Sequence, residues 1–182
     1  MATACVLLAN GFEEIEAITV IDVLRRAELE VTILGVGGGK ISGAHGLQVE
    51  TDQPLEEGLG MEWDAVVLPG GLPGATNLRD TPQVIELVRS THSAGGKLAA
   101  ICAAPIVLGS AGVLQGRQAT CYPGFEDGLV GAECSLERVV VDGNLTTSRG
   151  PGTSLDFALS LVAQLKDQET ADTLREGMLV SS

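Results

Sequence analysis

Five apolar, β-branched runs recur along this chain, with helix-period segments between most of them. They are "ACVLLA" (Ala4–Ala9), "EVTILGV" (Glu30–Val36), "WDAVVLP" (Trp63–Pro69), "KLAAI" (Lys97–Ile101) and "RVVVDGNLTTS" (Arg138–Ser148). Strand–helix alternation of this kind predicts an α/β fold with a mainly parallel sheet. The runs carry few charges, as strands do when helices cover both faces of the sheet. Two stretches break the pattern. "KISGAHGLQVE" (Lys40–Glu50) reads as a short hairpin around Gly43–Gly46, and "VVVDGNLTT" turns at Asp142 and Gly143, which implies an antiparallel edge.

With 182 residues, 45% of them hydrophobic, the chain is long enough for one substantial core and too short for two ordinary domains. We read residues 1–182 as one domain. A formal net charge of -13 repels phosphate backbones and anionic membrane surfaces, which argues against nucleic-acid and membrane partners and for a small molecule or a protein. The N-terminal "MATACVLLANG" has no basic leader region, and its apolar run falls far short of the ~20 residues of a bilayer span. A cytoplasmic protein is the expectation. Cys5, Cys102, Cys121 and Cys134 show neither CxxC nor zinc-type Cys/His spacing, so neither disulfide staples nor a structural metal is expected.

Open α/β sheets bind ligands beyond the carboxyl ends of their strands, which directs attention to three turns: "NGFEEIE", "PGGLPG" and "CAAP". In "AAICAAP" (Ala99–Pro105), Cys102 falls at a sharp strand-to-helix turn, with Pro105 early in the next helix. Unpaired amides and the helix dipole there favour a thiolate. A small buried hydrophobe is the alternative.

A helix from about Glu13 to Ala27 places Glu16, Val20, Val23 and Ala27 on one stripe, so a carboxylate heads an apolar face. Burial there raises its pKa and makes it a proton carrier near neutral pH, unless it turns outward or pairs with an arginine. Glu13 and Glu14 fit the dipole of the helix start, and Asn10 with Glu13 fits a capping pair. Gly70 and Gly71 follow a strand directly; they are either a tight turn or part of an oxyanion hole. Thr153 and Asp156 fit a capping box, and neither His45 nor His92 shows a partner. "GVGGGKI" fails as a phosphate loop because Leu34 and Ile41 replace the required glycine and hydroxyl residue. It also fails as a dinucleotide fingerprint, because Lys40 replaces the third glycine.

Taken together and in this order, "EEIEA", "VVLPGG", "AAICAAP" and "TSRGPGTS" resemble the ThiJ/PfpI superfamily, and most closely its DJ-one branch, over almost the whole chain. The resemblance implies a flavodoxin-like doubly wound fold, a homodimer, Cys102 at a nucleophile elbow and Glu16 hydrogen-bonded to its sulfur. It implies that the Gly71 and Ala103 amides, with Gly70 in the same turn, form the oxyanion and substrate pocket. It also puts Arg26 and Pro151 near the dimer interface and the site. Tyr122, in "TCYPG", stands where several members carry histidine, and Ala103 stands where the peptidase branch carries one. Those departures weaken a histidine-assisted mechanism and proteolysis. The activity implied is a cofactor-independent glyoxalase III or deglycase acting on methylglyoxal, glyoxal or glycated adducts. The alternative is an oxidative-stress sensor or redox-regulated chaperone whose cysteine is oxidised to sulfinate.

Overall fold

The computed structural model describes residues 1–181. In chain order the elements are β1 (Thr3–Ala9), α1 (Glu14–Arg26), β2 (Glu30–Val36), β3 (Lys40–Ser42), β4 (Gln48–Glu50), β5 (Gln53–Pro54), α2 (Leu55–Gly58), β6 (Ala65–Leu68), α3 (Gly74–Arg79) and α4 (Pro82–Ser93). They continue with β7 (Lys97–Ile101), α5 (Pro105–Ala111), β8 (Gln118–Ala119), β9 (Glu133–Cys134), β10 (Val139–Asp142), β11 (Leu145–Ser148), α6 (Ser154–Leu165) and α7 (Gln168–Gly177). Among the described residues no helix is long and apolar enough to cross a membrane.

Seven strands form the main sheet in the order β10-β11-β7-β6-β1-β2-β5. All pair in parallel except β10, which folds back antiparallel on β11 at the edge, with Asp142 opposite Leu145. Leaving aside β10 and the two-residue β5, the parallel strands follow the flavodoxin-like order 2-1-3-4-5. The expected fold class is therefore the observed one. The second expected hairpin is also present, as the antiparallel pair β3 and β4. The small parallel ribbon of β8 with β9 and the single helical turn α2 carry no periodic signal in the sequence.

Strand side chains alternate between two cores, and this is why the runs are apolar throughout rather than at every second position. Cys5, Leu7 and Ala9 of β1, Val66 and Leu68 of β6, and Leu98 and Ala100 of β7 face the helices α3, α4 and α5. Ala4, Val6 and Leu8, with Ala65, Val67, Ala99 and Ile101, face α1 and α6. The helix stripe predicted on α1 is fully buried: Glu16, Val20, Val23 and Ala27 all have at most 1% of their surface exposed.

The chain runs from β1 out to β2 and β5, then returns to β6 on the other side of β1. The strand order reverses at that point, where open α/β sheets bind ligands beyond the carboxyl ends of their strands. The turns after β1, β6 and β7 converge there. Cys102, just past β7, packs against both cores.

Candidate active site

Cys102 has φ 64°, in the left-handed region that L-residues with a Cβ avoid. Among the described residues Glu28 and Leu179 share this sign, but both follow helix ends, where such a conformation is an ordinary cap. Cys102 instead opens the turn into α5. Its amide donates to the Ser148 carbonyl at 3.0 Å, and its carbonyl accepts the Tyr122 amide at 2.8 Å. Backbone strain held from two sides presents a side chain rigidly.

Glu16 reaches this cysteine from α1. Its side chain is wholly buried, its Oε2 accepts the Gly70 amide at 2.7 Å, and its Oε1 is buried without a hydrogen-bond partner. Gly70 sits between the two functional side chains. A Cβ at that position would lie 2.6 Å from the Cys102 Cβ and 2.7 Å from Glu16 Oε2, so glycine alone fits. Gly71, at φ +90°, packs on the backbone of Gly11, Phe12 and Glu13. The amides of Gly71 and Ala103 both act on the Cys102 sulfur. The structure thus brings Cys102, Glu16, Gly70, Gly71 and Ala103 together.

The electrostatics differ from what the turn alone predicts. Burial first, and then the charge of Glu16, push the Cys102 thiol up to about 12, against the opposing pull of the Gly71 and Ala103 amides. The helix-start amides do not win by themselves. Burial pushes Glu16 up to about 7, opposed by its bonds to Cys102 and Gly70 and assisted by the charge of Glu13. The effect is one-sided: the Glu16 charge raises the thiol, because two adjacent negative charges in a dry site are costly, whereas the thiol bonded to the carboxylate lowers Glu16. Glu16 therefore gives up its proton first, near pH 7, and above that the pair holds one proton; a thiolate forms at Cys102 when that proton resides on Glu16.

Three residues stand further out. Tyr122 bonds through its backbone to Cys102, but the residue is 47% exposed, with its ring edge-on to Phe125 at 6.4 Å and beside Gly150. Pro151 opens a short 3-10 turn three residues beyond Ser148, the partner of the Cys102 amide. Arg26 lies ten positions beyond Glu16 on α1, roughly 15 Å along the axis, and pairs with Asp22 at 2.7 Å. The structure does not bring Arg26 to the cysteine within one chain.

A second constellation adjoins the site and has no signal in the local sequence. The β3–β4 hairpin docks on the β1–α1 turn: Asn10 Oδ1 accepts the Ser42 amide at 2.9 Å, and Ala44 donates to the Phe12 carbonyl at 2.8 Å. Asn10 is therefore committed to the hairpin. Glu13, whose carboxylate accepts the Ile15 amide at 3.4 Å, caps α1 in its place. Glu14 accepts the His45 amide at 2.6 Å and the Leu47 amide at 3.4 Å, and it holds the His45 Nδ1 at 2.8 Å. His45, without a partner in the sequence reading, has two in the structure, since Glu13 Oε2 lies 3.7 Å from the same nitrogen. Glu13, Glu14 and His45 form the group among the described residues with metal-ligand spacing, their ligand atoms lying within 4.8 Å of one another. A surface cavity of about 670 Å³ lies elsewhere, lined by Arg79, Ile85, Arg89 and their neighbours, and shares no residue with the cysteine site.

The family model described as the DJ-1/PfpI family matches residues 2–164. Protein dj-1beta of Drosophila melanogaster is 42% identical over 182 residues, covering 98% of this chain and 97% of that protein. A protein of Pyrococcus abyssi named as a deglycase is 37% identical over 163 residues, covering 88% of this chain and 98% of its own. The solved structure of oxidized DJ-1 from Toxoplasma gondii superposes with a TM-score of 0.96 at 33% identity and covers 100% of both chains.

Proposed function

The chain belongs to the DJ-1/PfpI family, and from that premise we propose that it is a cysteine-dependent, cofactor-independent glyoxalase III or deglycase acting on methylglyoxal, glyoxal or their adducts. The observation that carries this reading is the seating of Glu16 and Cys102 on either side of Gly70, with Glu16 pushed up to about 7. The relative named as a deglycase supports the same chemistry.

In the proposed reaction the pair begins as a thiolate beside protonated Glu16. The sulfur attacks the aldehyde carbon of methylglyoxal, and the alkoxide formed there, held by the Gly71 and Ala103 amides, takes the Glu16 proton to give a hemithioacetal. Glu16, now a carboxylate, removes the hydrogen from that carbon. The resulting enediolate receives the proton back from Glu16 at the neighbouring carbon, while the first hydroxyl proton passes to the second oxygen. A lactoyl thioester results, and water cleaves it to lactate and free thiol. When the aldehyde is already bound to an amine or a thiol, the same attack releases that group and repairs the adduct.

Tyr122 takes no proton in this scheme, since its ring points to solvent beside Phe125. Glu16 therefore carries both the acid and the base role. Protection of Cys102 tests the point of attack. Methylglyoxal is expected to slow iodoacetamide labelling of the Cys102 peptide in wild type and more durably in Glu16→Gln, where the hemithioacetal cannot proceed. Unchanged labelling in both would overturn the assignment.

A second reading is favoured by the unpartnered Glu16 Oε1 and by the amides at the sulfur. A sulfinate at Cys102 would accept hydrogen bonds from protonated Glu16 and from these amides, as a peroxide sensor requires; one solved relative is described as oxidized. Peroxide is expected to add oxygen at Cys102 before Cys5, Cys121 or Cys134, and the reverse order would remove this reading. The four free thiols suit the cytoplasm, where they stay reduced. A homodimer is proposed as well, on the exposed Ile15, Ile18 and Leu47 around α1 and the hairpin. Sedimentation of Ile18→Glu as a monomer and of wild type as a dimer would support it; a monomeric wild type would exclude it.

A further inference from the structure

Cys102 keeps φ 64° only because the chain around it over-determines that conformation. Two hydrogen bonds do this, one to the Ser148 carbonyl at 3.0 Å and one from the Tyr122 amide at 2.8 Å. Both lead to the same short segment, the turn that follows β11 from Gly150 to Thr153. Ser148 reaches it through its side chain, whose Oγ lies 2.6 Å from Thr153 Oγ1 and donates to the Arg138 carbonyl at 2.6 Å. Tyr122 reaches it through its ring, which packs against Gly150 so closely that a Cβ there would come within 3.2 Å of Cδ2.

The direction of the side-chain bonds follows from the protons available. The Arg138 carbonyl can only accept, so the Ser148 hydroxyl proton goes to it, and Thr153 must donate to Ser148 Oγ. Thr153 Oγ1 in turn accepts the Gly150 amide at 3.1 Å, while the Gly150 carbonyl takes the Thr153 amide at 2.9 Å. A one-way chain results, from Gly150 through Thr153 and Ser148 to Arg138. Ser148 is fully buried and Thr153 nearly so, which keeps water from competing for the two hydroxyl bonds. The Arg138 guanidinium also donates to the Gly152 carbonyl at 2.9 Å, but 63% of that side chain is exposed and solvent competes there.

We propose that Thr153 is a positioning residue for Cys102, whose hydroxyl locks the turn after β11 and through it both ends of the cysteine's left-handed backbone. The contacts close a circuit: the Cys102 amide to Ser148, Ser148 to Thr153, Thr153 to Gly150, Gly150 to the Tyr122 ring, and the Tyr122 amide back to the Cys102 carbonyl. Thr153 is the link that joins its two halves. With the circuit closed, the sulfur stays against the Gly71 and Ala103 amides. Without the Thr153 hydroxyl, Gly150 can withdraw from Tyr122, and the cysteine relaxes toward negative φ and carries its sulfur off those amides. The capping spacing of Thr153 and Asp156 is therefore put to a different use, with the threonine turned back toward the cysteine turn rather than onto its own helix.

Because this role rests on Cys102 as the attacking sulfur, its first readout is one that needs no aldehyde. Amide hydrogen exchange in the full chain compares wild type with Thr153→Val, which replaces the hydroxyl by a methyl of similar size, and Thr153→Ser, which keeps it. The Cys102 and Tyr122 amides are expected to exchange about tenfold faster in Thr153→Val, the weight of one buried hydrogen bond, and at wild-type rates in Thr153→Ser, with the β1 amides unchanged in both. The second readout is the methylglyoxal concentration that half-protects Cys102 from iodoacetamide, which a residue serving stability alone would leave unmoved. It is expected to rise about tenfold in Thr153→Val and to return to the wild-type value in Thr153→Ser. Should Thr153→Val fail to fold, Ser148→Ala opens the same circuit and leaves the Gly150 amide its partner, and the same outcomes decide. Wild-type exchange at Cys102 and Tyr122 in the hydroxyl-free variant, or equal acceleration in Thr153→Ser, would overturn the inference. So would faster exchange with unchanged protection, whereas no protection in wild type would count against the aldehyde reading and leave exchange to decide the role of Thr153.

Discussion

Gly70 and Glu16, 54 residues apart in the chain, are joined by a 2.7 Å hydrogen bond from the glycine amide to a carboxylate with no exposure to solvent. That bond aims the carboxyl at the cysteine turn, and burial makes its charge costly. Folding therefore favours the protonated acid. Glu16 rises from 4.5 in the unfolded chain to about 7 in the folded one, so its contribution is fully present below the lower value and is lost as pH rises through the upper. The loss amounts to about 3 kcal/mol.

Glu16→Gln removes that pH dependence while keeping an oxygen for the Gly70 amide. The variant is expected to be more stable than wild type near pH 8, by about 3 kcal/mol, with the gap closing toward about pH 5. Urea denaturation at the two pH values checks this. A gap that is the same at both would show that Glu16 is not held protonated by the fold.

At Gly70 the constraint is steric. A methyl there meets the Cys102 Cβ at 2.6 Å and the Ile101 carbonyl at 2.8 Å, neither of which can withdraw without moving β7 or its turn. Gly70→Ala is expected to cost about 2–3 kcal/mol and to change the labelling rate of Cys102. Gly39→Ala, where an added methyl meets nothing within 4 Å, is expected to stay within about 0.5 kcal/mol of wild type. Comparable losses at the two positions would contradict the packing described around the site.

Glu14 ties the hairpin to α1 by accepting two backbone amides and an imidazole nitrogen. Its carboxyl lies below its usual value, because the bonds from His45 and Leu47 outweigh the cost of burial. Glu14→Ala is expected to cost about 1–2 kcal/mol and to speed exchange of the His45 and Leu47 amides at least tenfold, with the β6 and β7 amides unaffected. Uniform acceleration across the sheet would mean that the hairpin is no separate unit.

Cys102, Glu16 and the Gly70–Gly71 turn were legible because each is a local exception to a periodic pattern: a cysteine at the break between strand and helix, an acid on an apolar stripe, two glycines ending a strand. What escaped depends on tertiary partners. Thr153 and Asp156 have capping-box spacing, yet Thr153 Oγ1 bonds Ser148 Oγ at 2.6 Å, while Asp156 takes Arg138 at 2.8 Å and Arg175 at 3.1 Å. Stronger partners brought in by β11, β10 and α7 displaced the local ones. The same holds for Asn10, taken by Ser42, and for His45, which meets α1 only after the hairpin folds over it. The thiol followed suit, since the amide-rich turn is a local feature and the opposing burial and Glu16 charge are not.

Lactate release from methylglyoxal, measured for wild type, Cys102→Ala and Glu16→Gln side by side, tests most directly whether the cysteine and the carboxyl work as one unit. The expected result is turnover in wild type, none in Cys102→Ala and a loss of about a hundredfold or more in Glu16→Gln, the scale of a removed general acid–base group. Lactate formed at wild-type rates by either variant would contradict the account.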